Sequence, residues 1–173
     1  ASYLGSGLTA TGSTGAAGAV GRFTPHHFDV AVTPACAGSF SYAGQPFAVT
    51  VTARNGLTPA GTTLNYDGSA ATTPSFAQAL TLSEATVLGV GSLANAAVTA
   101  SAFSAGVASA NPSYTFTAKA TAPQTLVMRA ADTDGIASTG YVEGQTPLRS
   151  GRLRLANSFG SATQPLQLPV LAE

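Results

Sequence analysis

At 173 residues, the chain can bury a real core, as one large or two small domains. Only 8% of its residues are Asp, Glu, Lys or Arg, against about 25% in ordinary soluble domains, and seven basic and seven acidic side chains cancel to zero formal net charge. Without clustered Lys and Arg there is no footprint for nucleic acid, and without a run of about 18 strongly apolar residues this fragment is not expected to insert in a membrane.

Ala, Gly, Thr and Ser replace the missing charges, a composition that suits exported bacterial surface proteins. The opening Ala1-Ser2-Tyr3 has neither the basic start nor the apolar core of a signal peptide, and the sequence reads as an excised or processed piece of a longer chain. Residues 1–20 carry five glycines among Ser, Thr and Ala and read as a linker or a loosely held edge segment.

A sandwich is predicted over residues 21–148. Phe28, Val30 and Val32 alternate in a first strand, and Phe40 and Tyr42 sit two apart beyond the turn that holds Cys36. The clearest strand is the next one, where Phe47, Val49 and Val51 alternate with Ala48, Thr50 and Thr52. A break at Asn55-Gly56, Pro59 and Gly61 leads to a second, shorter strand over residues 62–66, and the two are predicted to be the B and C strands of an immunoglobulin-like sandwich. Leu64 and Tyr66 are assigned to the layer facing Phe47, Val49 and Val51.

After a loop through Pro74, residues 76–82 read as a strand with Phe76, the polar Gln78, Leu80 and Leu82 on one face, and short strands are expected around residues 97–103. Firmer strands follow over 113–119 and 124–131, each placed just after a proline, Pro112 and Pro123. Asp132-Thr133-Asp134-Gly135 reads as a polar turn, and no strand is assigned between it and residue 149. Residues 149–173 hold two terminal strands that complete the sandwich or start a following domain: 149–156, with Leu153 and Leu155 on one face, and 166–172, which Pro169 marks as an edge. The expected fold is all-β and mostly antiparallel, an immunoglobulin-like sandwich with extra flanking strands and roughly nine to eleven strands in total.

Few side chains are arranged for chemistry. Cys36 cannot form an internal disulfide; it is either a small buried hydrophobe or the partner of a cysteine elsewhere in the parent chain. His26 and His27 are the two histidines, and neighbours in an extended segment point to opposite faces, which disfavours a shared metal. Asp132 and Asp134 occupy the first and third positions of an EF-hand-like loop and Glu143 the twelfth, but Ile136 and Ala137 stand where a ligand and a glycine are required. The acidic stretch is therefore read as a solvated turn, with calcium at Asp132, Asp134 and Glu143 as the minor alternative. Ser158 lacks the nucleophile-elbow pattern, and the scattered acids offer no glycosidase pair. No enzyme activity and no cofactor are expected. Lys119, the single lysine, is read as an outward-facing charge rather than as half of an internal cross-link.

Residues 21–28 (GRFTPHHF), residues 40–47 (FSYAGQPF) with the Asn65-Tyr66 ending, and residues 151–160 (GRLRLANSFG) together resemble a region of MshQ-like proteins, associated with biogenesis of the mannose-sensitive haemagglutinin type IV pilus. The resemblance spans residues 21–173 and brings no catalytic residues with it; it departs from the family pattern at His26, where an acidic residue is more usual. It implies an exported, envelope-associated protein of a Gram-negative bacterium, linked to pili or adhesion, with other domains of the parent chain or pilus components as partners. The expected function is that of a non-enzymatic structural or adhesive module. The alternative is a carbohydrate-binding module in which Tyr42, Tyr66, Tyr114 or Tyr141 stacks on the sugar rings of a surface glycan.

Overall fold

A computed structural model describes residues 24–37, 39–69, 76–151, 153–163 and 165–172. The predicted linker over 1–20, the segment 20–23, the loop around Pro74 and Arg152 lie outside them. The described residues form twelve strands: β1 (His27–Thr33), β2 (Ser41–Tyr42), β3 (Ala48–Arg54), β4 (Leu80–Glu84), β5 (Gly91–Ala94), β6 (Ala97–Val98), β7 (Val107–Ala110), β8 (Ser113–Phe116), β9 (Gln124–Asp132), β10 (Gln145–Arg149), β11 (Leu153–Leu155) and β12 (Val170–Ala172). Among the described residues a 3-10 turn, Ala100–Ala102, interrupts them.

The architecture is the expected one, all-β and sandwich-like. One sheet has the order β1-β3-β7 and the other β2-β10-β9-β4-β6, with β5-β8 and β11-β12 as two-stranded ribbons. Every pairing is antiparallel except β2 with β10. In the first sheet Val30 lies opposite Val51, and Val51 opposite Ala108. Phe28, Val30, Val49, Val51 and Ala53 are buried while the residues between them stay partly wet, the period-two signature of a half-buried strand. They meet Leu80, Leu82, Leu126, Met128, Ala130 and Leu148 of the second sheet in one core. Phe28, Tyr66 and Phe103 fill one region of it edge to face, with Tyr66 5.6 Å from Phe28 and 4.9 Å from Phe103.

The segment leading into β10 ties the two sheets together. Val30 donates to the Val142 carbonyl and Gly144 donates back to Val30, whereas the Gly144 carbonyl accepts from Met128 of β9. One stretch thus pairs first with β1 and then with β9. Residue 144 has to be glycine for this, because a Cβ there would lie 2.8 Å from both the Val30 oxygen and the Val32 nitrogen.

Three expectations are corrected. Residues 62–66 are not a strand: β7 covers that edge of β3 from Val49 to Thr52, leaving a single bridge from Arg54 to Thr62 before the chain turns. Tyr66 still reaches the core, but Leu64 is exposed, so only one of the two joins the facing layer. No strand is assigned between Gly135 and Arg149, yet β10 lies there, with Thr146 and Leu148 buried. Pro147 is tolerated because the backbone groups of 144, 146 and 148 face β9, while the missing N–H at 147 faces the side where β2 pairs only with Leu148 and Arg149. In the terminal segment the strands shrink to the β11-β12 ribbon, and Leu166 and Leu168 are exposed outside it.

Candidate functional site

The candidate site is a cleft of about 460 Å³ at the end of the first sheet, where β1 begins and β3 ends. The His26 amide donates to the Arg54 carbonyl at 2.7 Å, and His27 pairs with Arg54 in register, fixing two imidazoles beside a guanidinium. Asp29 completes the row: Arg54 Nε donates to its Oδ2 at 2.6 Å, and His27 Nε2 lies 3.6 Å from Oδ1. The opposite rim is the loop 55–61, folded around the Asn55 side chain, whose Oδ1 accepts the amides of Leu57 and Gly61.

Tyr141 closes the third side. Its amide donates to the Ser138 carbonyl, and Ser138 is buried and bonded to Ala130 of β9 through both its amide and its hydroxyl. Held there, the Tyr141 ring stacks on His27 at 3.7 Å between centroids and meets His26 edge-on at 5.7 Å. The adjacent histidines differ in exposure, His27 being buried and His26 exposed, as an extended backbone requires. Their rings nevertheless turn toward each other and bring the two Nδ1 atoms to 3.1 Å, with the Tyr141 hydroxyl 3.4 Å from His26 Nδ1. Burial pushes the His27 imidazole below its ordinary value; Asp29 opposes that shift, and His26 and Arg54 add to it.

The acids suggested for calcium are committed elsewhere. Asp132 is buried, its Oδ1 accepting the amides of Asp134 and Ile136 and its Oδ2 the Tyr66 hydroxyl at 3.0 Å. Glu143 takes a two-point contact from Arg129, at 2.7 and 3.2 Å, and a bond from Ser138. Asp134 is exposed on the turn itself. Among the described residues, no three or more His, Cys, Asp or Glu side chains are grouped to hold an ion.

The four tyrosines are equally dispersed. Tyr66 and Tyr114 are buried, and burial, followed by the neighbouring Glu84, raises the Tyr114 phenol above its ordinary value. Tyr42 is half-buried against Phe40, and only Tyr141, 47% exposed, is open for stacking. Cys36 is half-buried, its thiol donating to Gln45, and Lys119 is exposed at a shallower groove. Sequence reasoning named Tyr141 and both histidines but not their meeting, which depends on β10 returning residues 141–144 to the edge of β1; the one sequence signal is the Glu143-Gly144 pair, a glycine where two backbones approach.

No helix among the described residues is long and apolar enough to cross a membrane. The family model described as DUF6701, third domain, matches residues 1–149, and the chain belongs to that family. No curated protein and no solved structure matches the chain.

Proposed function

We propose that this DUF6701 third domain is a non-enzymatic β-sandwich module that spaces or presents neighbouring domains in a pilus-associated, MshQ-like surface protein of the Gram-negative envelope. The observation that carries the reading is the use of the segments resembling MshQ-like proteins. Phe28, Ser41, Phe47 and Tyr66 are buried, and Gly151 lies so close to Tyr42 that a Cβ would come within 3.0 Å of its ring. Those residues therefore serve the scaffold and its joints, whereas Leu155 and Phe159 of the third segment are exposed. The family's description as a third domain supports a serial arrangement within a longer chain, and a surface of hydroxyls with little charge suits an exported protein.

An antibody raised against this domain should label intact Gram-negative cells that carry the parent gene. Label only after permeabilisation would overturn the surface assignment. A second reading, glycan binding, draws support from Tyr141 alone, the one exposed tyrosine among the described residues, in a cleft also lined by Asp29, Arg54 and Asn55. The spacer reading expects no saturable signal on a glycan array; binding lost on Tyr141→Ala would favour the lectin.

A further inference from the structure

We propose that His26 and His27, with the Tyr141 hydroxyl, form an open site for a divalent transition ion that prefers imidazole, of the kind of Cu2+, Ni2+ or Zn2+. Bonds of about 2.0–2.1 Å from such an ion to imidazole nitrogens set the two nitrogens about 2.9 Å apart at a right angle and about 3.4 Å apart at a tetrahedral one. The 3.1 Å between the two Nδ1 atoms falls between these values. In the ion-free chain that contact requires one nitrogen to donate a proton and the other to accept it, and an ion would replace the proton.

The surroundings favour the exchange. Asp29 Oδ1 lies 3.6 Å from Nε2 of His27, an electrostatic contact that favours a proton on Nε2 and leaves the Nδ1 lone pair on the side of His26. A carboxylate behind an imidazole in this way orients metal-binding histidines and raises their basicity. Arg54 holds that carboxylate, and the stacked Tyr141 ring holds the His27 plane. The Tyr141 oxygen, 3.4 Å from His26 Nδ1, offers a third donor on the His26 side of the cleft. The two rings meet edge to face, with centroids 5.3 Å and planes 85° apart, and the exposed His26 needs only a small turn to aim its lone pair at the ion while its Nδ1 stays beside that of His27. Water from the open cleft completes the coordination.

Calorimetry on the whole chain with Zn2+ alone, and electron paramagnetic resonance with Cu2+ alone, test the site. The expected result is one ion per chain, with copper hyperfine structure from two imidazole nitrogens. His26→Ala should abolish binding without lowering the melting temperature, and Asp29→Asn should weaken it by about 10–100-fold. Absence of saturable binding in the native chain, or binding that survives His26→Ala, would overturn the proposal.

Discussion

The Asp132 turn and the His26–Tyr141 cleft belong to the same sandwich and use their polar groups in opposite ways. At the turn, both carboxylate oxygens point inward and are taken by two backbone amides and a buried phenol. At the cleft, two imidazole nitrogens and a phenol oxygen lie beside open space, and one of the imidazoles and the phenol-bearing ring remain exposed. A cluster of ionisable residues is a site only when its binding capacity is left over after folding. The turn has used its capacity in joining β9 to the Tyr66 layer, whereas the cleft retains it.

That contrast gives graded expectations. Val49→Asp places a charge without a partner in the core behind both regions, and its sheet circular dichroism and cooperative melt should be lost. Asp132→Ala should be the most damaging change outside the apolar core, about 3 kcal/mol in denaturant unfolding, because two amides and a hydroxyl lose a charged acceptor. Tyr66→Phe removes one of those bonds and the acceptor of the Gln78 amide but leaves the packing on Phe28 and Phe103, so about 2 kcal/mol is expected in the same assay.

Stability should also depend on pH through His27. Its folded value lies below the ordinary 6.5, so the unfolded chain takes up the proton first as pH falls. The melting temperature should therefore drop from neutral pH through 6.5 and level off below the lowered folded value, and His27→Gln should flatten that slope. The smallest effect belongs to the open region: His26→Ala should change stability by no more than about 0.5 kcal/mol. A loss comparable to that of Asp132→Ala would mean that the cleft is as closed as the turn.

The scaffold was readable where side-chain alternation is strong. Phe28 and Val30, Phe47 to Val51, and Leu126 to Met128 gave β1, β3 and β9 because apolar residues recur every second position and bury one face. It was not readable where polar atoms do the burying. Thr146 is a core residue of β10 whose hydroxyl lies 3.3 Å from the buried Ser41, so the strand has no apolar stripe and its proline reads as a break. The site was legible as residues but not as an arrangement: Tyr141 stands 115 positions from His26, and the pairing of 142–144 with β1 brings it into contact with both histidines. Asp132 misleads in the other direction, because spacing along the chain does not reveal which way a carboxylate faces.

The most direct test of the closed turn is native-state amide hydrogen exchange at Asp134, Ile136 and Gln78, whose N–H groups donate to Asp132 or to the Tyr66 hydroxyl. Protection close to that of the β3 and β9 core amides is predicted for Ile136 and Gln78, with Asp134 somewhat less protected on its exposed turn. Exchange of all three at the rate of an unstructured loop would contradict it, and would return Asp132 to the solvated, ion-accessible turn that its spacing suggests.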